Sequence, residues 1–249
     1  MTDYPLSANI NTDHSNMDIS STEVSHQLSF SHIKAAALFA KLSYEREDKY
    51  DESKSSSELR DEHRSYVIGS IITAVCYLEA TINELFTDVE DISRSNEWSP
   101  DVTQRMKETW RDERKLRLID KYEKALCIVK SESFDRGAEP YQSAASLISL
   151  RNALIHYKPE WIGTGESYNQ TLNEKLRQKL EKKIKKLNPM TREGSLFFPH
   201  QCLGYGCAKW AVESSVKFTK EFFSKIGLPS QLDQDYELSL NLREIKRAP

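Results

Sequence analysis

The chain has 249 residues, enough to bury a substantial core as one domain with elaborations or as two small ones. Its 35 basic and 38 acidic residues leave a formal net charge of -3, which excludes a generally basic nucleic-acid binder and confines any such role to a local patch. Hydrophobic residues make up only 38%, which suits a helical core carrying polar tails and charged exposed helices.

Residues 1–28 are rich in Ser, Asn, Thr and Asp and hold too few apolar side chains to offset the entropy of ordering, so a disordered leader is expected. The N-terminus shows no basic region followed by an apolar core, so no signal peptide is expected and a cytoplasmic protein is. An alanine-rich helix is expected from Phe30 to about Glu47, followed by a serine-rich connector through Lys54–Ser57. In the next helix Val67, Ile71, Ala74, Leu78, Ile82, Leu85, Val89 and Ile92 recur every three or four residues. A stripe that long needs several partners, which points to a bundle. Val67–Phe86 is the most apolar stretch, but Glu79, Asn83 and Glu84 interrupt it, which argues against a membrane span. His63 and Arg64, ahead of the stripe, read as an exposed helix start.

Ser99-Pro100 restarts a helix with a capping serine and a first-turn proline. That region runs through Leu116, Ile119, Leu126 and Val129 to about Lys130, with a break near Arg114. Asp135-Arg136-Gly137 marks a loop. Pro140 opens a helix carrying Tyr141, Ala144, Leu147, Ile148, Leu150, Leu154 and Ile155, and Pro159 stops it near Tyr157. A loop through Trp161 and Gly163-Thr164-Gly165 leads to a basic helix, Thr171–Leu187, closed by Asn188-Pro189. Leu196–Pro199 reads as an apolar loop. The last helix spans about Tyr205–Ile226 and ends on Gly227, with Pro229 as a stop. No strand pattern and no internal repeat occurs. The expected class is all-α, with one helical domain over 29–229, an insertion at 160–200 containing the basic helix, and a tail over 230–249.

Cys76, Cys127, Cys202 and Cys207 do not form a zinc pattern, since Cys202 and Cys207 are too widely spaced for C-x2-C and no second pair completes a site. All four read as reduced and structural. No metal or cofactor is expected. Walker, dinucleotide-binding, nucleophile-elbow and H-E-x-x-H motifs are missing from the sequence.

The chemistry concentrates in Arg151-Asn152-Ala153-Leu154-Ile155-His156. A permanent cation can hold a phosphate, and an imidazole can move a proton near neutral pH. Asn152 and His156 are four apart on one helical face, where the amide can orient the ring. Arg151 and His156 are five apart, about 140° around an ideal helix. They cannot both aim at one small target from a straight helix, so either the last turn is distorted or two copies of the motif meet across a two-fold axis. The same residues also suit a solvated, capped helix end with no chemistry. The basic helix, with Lys175, Lys179, Lys182, Lys183 and Lys186, suits a phosphate backbone and equally suits a solvated face. Trp161, Phe197, Phe198 and Trp210 could stack bases, although core or dimer contacts are the commoner role.

R-N-x3-H on a late helix of an all-α bundle resembles the HEPN superfamily, whose hallmark is R-x4-6-H with a polar residue after the arginine. The resemblance is specific at Arg151, Asn152 and His156 and extends over Phe30–Ile226 only as an order of helices. It implies an RNA-cleaving enzyme that needs no metal and works as a homodimer, often as a toxin or antiviral defence component with an antitoxin or defence partner. Non-catalytic members that bind RNA or a protein are the alternative. By resemblance, Glu79 and Asn83 are the polar pair that many members carry on an earlier helix. One departure stands out. Some toxin members carry a modifiable tyrosine two residues after the histidine, whereas here Tyr157 follows His156 directly and Lys158 holds that place.

Overall fold

The computed structural model describes residues 28–51, 53, 56–95, 97–112, 116–158, 172–230 and 232. All regular structure among them is helical, with no strand. In chain order the helices are α1 (Ser29–Asp48), α2 (Ser57–Thr87), α3 (Val89–Arg94), α4 (Pro100–Asp112), α5 (Leu118–Lys130), α6 (Tyr141–Ile155), α7 (Leu172–Leu180) and α8 (Tyr205–Ile226), with a kinked π-type segment at Phe197–Gln201 before α8. The leader up to residue 27, the Trp161 and Gly163–Gly165 loop and most of the tail lie outside the described residues.

Helix α2 is the centre of the bundle, in contact with α1, α5, α6 and α8. Its stripe Val67, Ile71, Ala74, Leu78, Ile82 and Leu85 is buried, and so are Val75, Tyr77 and Phe86 on other faces, because α2 is packed on several sides. Full burial of each such side chain stabilises by roughly 1.5–3 kcal/mol before ordering costs. An 18-residue window of α2 is apolar enough to cross a membrane by length and composition alone, so Glu79, Asn83 and Glu84 do not settle that question. Half of that window is occupied in the core.

Small side chains set the α1–α2 distance. Ala36, Ala37 and Ala40 are fully or almost fully buried, and the Ser70 hydroxyl donates to the Ala36 carbonyl across the seam at 2.9 Å. Two tyrosines anchor the other partners. Tyr122 of α5 donates to the Leu78 carbonyl at 2.7 Å and sits edge-on to Phe218 and Phe222 of α8. The Tyr77 hydroxyl pairs with the Thr219 hydroxyl at 2.8 Å.

Several boundaries follow local chemistry. The Ser56 hydroxyl caps α2 by accepting from the Leu59 N–H at 3.1 Å, and Ser99 caps α4 in the same manner through Val102. The expected stripe through Ile92 is interrupted, because the chain leaves α2 at Asp88 and restarts as α3. Gly227 takes a left-handed conformation (φ 80°), and Gly227 and Leu228 N–H bond back to Ser224 and Phe223 carbonyls, a complete Schellman cap for α8.

The basic helix is shorter than expected. α7 ends at Leu180, and the rest of the lysine run continues as turns. Lys179, Lys183 and Lys182, Lys186 would stack like charges at i,i+4 in a longer helix, which disfavours it. Leu196–Pro199, expected as an apolar loop, instead leads into the kinked π-type segment, with Phe197 and Phe198 buried.

Candidate functional site

α6 carries the R-N-x3-H motif in its last turn and lies against α2. The Arg151 guanidinium points at α2, with Nη2 3.8 Å from Glu79 Oε2. The arginine side chain is 21% exposed and the carboxylate 48%, so the pair is open to water. Cys76, one turn earlier on α2, shares this environment. Burial pushes its thiol up, the Arg151 charge opposes that rise, and the Glu79 charge adds to it.

One turn further along α2 (about 6 Å by helical rise), Asn83 Oδ1 accepts from Lys121 Nζ at 2.9 Å. Lys121 comes from α5, is only 6% exposed, and holds its ammonium 5.6 Å from the centre of the Trp110 ring. No carboxylate pairs with it among the described residues. Glu79 and Asn83 thus share one face of α2 and receive a cation each, from α6 and α5. Sequence reasoning missed Lys121. The signal was present, because Lys121 falls within the buried series Leu118, Tyr122, Ala125, Leu126 of α5, an unusual place for a lysine.

His156 is the residue that ends α6. Its backbone N–H donates to the Asn152 carbonyl at 2.9 Å. Its imidazole and the Asn152 amide are exposed, and neither side chain makes a hydrogen bond or ion pair among the described residues. The amide–imidazole bond allowed by their spacing is therefore not formed in a single chain. Ile155 and Tyr157, on either side of His156, are each 49% exposed, unusual for large apolar residues at the end of a packed helix. The Tyr157 ring leans towards Phe198, with centroids 6.1 Å apart. The structure thus brings Arg151 to Glu79, keeps Asn83 one turn away with Lys121, and leaves His156 and Asn152 facing solvent.

Of the basic run, Lys175, Lys179, Lys182 and Lys186 are exposed. Lys183 is occupied, bonded to Glu139 and to the Ser143 hydroxyl at the start of α6. Among the described residues, no three His, Cys, Asp or Glu side chains approach one another as a metal-holding group.

His63 is not the exposed helix start that its position suggested. It is 1% exposed, and its Nε2 lies 3.0 Å from Glu47 Oε1, which also accepts from the Tyr205 N–H at 2.6 Å. Helix α2 begins at Ser57, so His63 already faces α1 in the second turn. Glu47 thereby ties α1, α2 and the first turn of α8 together. The four cysteines are free thiols; Cys202 and Cys207 are buried, Cys76 is half-buried and Cys127 is exposed. Phe197, Phe198 and Trp210 are buried, which assigns their rings to packing.

No family model, curated protein or solved structure matches the chain. Fold and site together define an all-α protein in which cationic side chains from two helices meet a polar face of a third.

Proposed function

We propose that this protein is a metal-independent endoribonuclease of the HEPN type, working as a homodimer in which two copies of Arg151, Asn152 and His156 line one cleft. The observation that carries the reading is the contact of Arg151 with Glu79 across α6 and α2, which joins the motif to the earlier polar pair that the resemblance implies. The exposed Ile155 and Tyr157 beside His156 supply apolar surface for a self-complementary contact.

The chemistry needs only groups that RNA and the two chains possess. The 2′-oxygen attacks the adjacent phosphorus while the bond from phosphorus to the 5′-oxygen breaks. One imidazole takes the 2′-hydroxyl proton, and the second gives a proton to the departing 5′-oxygen. Arg151 stabilises the extra negative charge on the phosphorane-like transition state. The products are a 2′,3′-cyclic phosphate and a 5′-hydroxyl. A cytoplasmic toxin or anti-phage role, with an antitoxin or defence-system partner and no membrane, completes this reading.

A second reading has its own support. In one chain Arg151 is engaged by Glu79 and the His156 side chain makes no hydrogen bond or ion pair among the described residues, an arrangement that suits a non-catalytic RNA-binding or protein-interaction module. Incubation of purified protein with mixed single-stranded RNA, with and without EDTA, separates the two. The nuclease reading expects EDTA-resistant cleavage to cyclic-phosphate ends that disappears in His156→Ala. Cleavage that survives that substitution refutes the catalytic assignment, and cleavage stopped by EDTA refutes the metal-free one.

A further inference from the structure

Beyond α7 the lysine-rich chain turns across the first turns of α8, and between them lies a groove of about 290 Å³. Lys183, Lys185, Lys186 and Lys209 line it, with Tyr205 and Trp210 forming its floor and Glu213 as its single carboxylate. The walls are fixed by close backbone packing. A Cβ on Gly206 would stand 2.2 Å from the Lys186 carbonyl oxygen, and one on Gly204 would stand 2.7 Å from Asn188 Cα. Only glycine permits this approach, and the Asn188 N–H bond to the Gln201 carbonyl at 2.8 Å closes the seam. Lys183 is committed to Glu139 and Ser143, and the Lys209 ammonium lies 5.8 Å from the centre of the Tyr205 ring. Lys185 and Lys186 are exposed and have no ion pair among the described residues. Two ammonium groups without an ion pair among the described residues are thus carried on a close-packed seam, in a chain whose overall charge is slightly negative.

The groove has a definite position relative to the motif. Lys183 bonds Ser143 in the first turn of α6, whereas His156 ends that helix. Thirteen residues of helical rise separate them, about 20 Å. At the other end, Asn173 of α7 accepts from the Phe198 N–H at 2.8 Å, and Phe198 in turn meets Tyr157, next to His156. α7 and the following turns therefore run antiparallel to α6, from beside His156 to the groove. Exposed Lys175, Lys179 and Lys182 mark the intervening path.

We propose that the Lys185–Lys186 groove is a second binding site, which holds the backbone phosphates of single-stranded RNA towards the end of α6 opposite His156. The proposal rests on the nuclease reading for the identity of its ligand as RNA. It deepens that reading by requiring a strand of several nucleotides, within the roughly 4–16 nucleotide footprints typical of such channels.

The test uses the full chain carrying His156→Ala, so that RNA stays intact, and a fluorescent single-stranded RNA of about 16 nucleotides. Adding Lys185→Glu with Lys186→Glu is expected to weaken binding by about tenfold or more at moderate salt. The dependence of log affinity on log salt should become shallower by about 1.4, or 0.7 for each lost phosphate contact. The Lys185→Gln, Lys186→Gln pair should produce the same slope change with an unaltered melting temperature. Unchanged affinity and slope would overturn the proposal. Displacement of the RNA by poly-glutamate as effectively as by unlabelled RNA of equal charge would also overturn it, in favour of an acidic protein ligand. A shallower slope in a protein whose His156-intact form cuts no RNA still supports the groove and counts against the nuclease alone.

Discussion

Arg151→Ala removes a guanidinium that stands 3.8 Å from a half-exposed carboxylate between α6 and α2. Two unit charges at that distance attract by about 1 kcal/mol in water, and exposed pairs of this kind measure roughly 0.2–1 kcal/mol. The partly buried stem adds packing of similar size, so the total loss of stability stays below about 2 kcal/mol. Under the proposed nuclease role, loss of a cation that stabilises the transition-state phosphate is a larger effect, about 2.7–4 kcal/mol, or 100- to 1,000-fold in rate. The two effects are read separately, by single-turnover cleavage of single-stranded RNA and by urea unfolding. The expected outcome is a rate reduced by at least about 100-fold in a protein whose unfolding free energy has fallen by less than about 2 kcal/mol. Glu79→Gln keeps the shape and removes the charge, and as a positioning change it should lower the rate by less than about tenfold. A rate for Arg151→Ala within a few-fold of the parent, in a folded protein, would refute the role given to the guanidinium. A loss of activity that simply tracked loss of the fold would refute it equally.

His63→Ala should destabilise the fold by about 3–5 kcal/mol, because Glu47 would remain buried with one donor instead of two; urea titration measures it. Gly206→Ala should cost about 2 kcal/mol or more, since its Cβ meets a backbone oxygen that only a shift of the 186–188 seam can relieve; an unchanged melting temperature would show the seam to be soft. Burial, with the Arg64 charge adding to it, holds the His200 imidazole below the ordinary histidine range. The unfolded chain then binds the extra proton first, so stability is full above the unfolded pKa and falls as pH drops through it, and His200→Gln should flatten that acid-side slope in pH-dependent unfolding. Burial pushes the Cys202 thiol up to about 12 and Cys207 well above its usual value, while Cys127 is exposed; a thiol reagent at neutral pH should label Cys127 first and all four cysteines only after unfolding.

The helices were legible where periodicity was continuous. The α2 stripe, the Ser99 cap and the Gly227 cap all follow from side-chain spacing and backbone preference, which act within a few residues. What the sequence left undetermined depends on partners far along the chain. Helix α7 ends at Leu180, and Lys183 just beyond it is held by Glu139, 44 positions away. His63 looked like a surface residue because its partner Glu47 lies on α1 and the third member of the contact, Tyr205, stands 158 positions from Glu47. No local window contains that triad.

The site divides along the same line. Residue types at 151, 152 and 156 announce phosphate and proton chemistry, but their directions depend on what α6 packs against. With α2 on one side, Arg151 turns inward to Glu79, and the 140° offset then carries His156 outward to water. The last turn of α6 is intact, closed by the bond from the His156 N–H to the Asn152 carbonyl at 2.9 Å. A single chain therefore holds the guanidinium and the imidazole on different faces, and the dimer proposed above is the arrangement that would unite them. That geometry predicts that mixing Arg151→Ala protein with His156→Ala protein restores part of the activity that each lacks alone. Two inactive variants that stay inactive when mixed, although they exchange subunits, would break the link between dimer and cleavage.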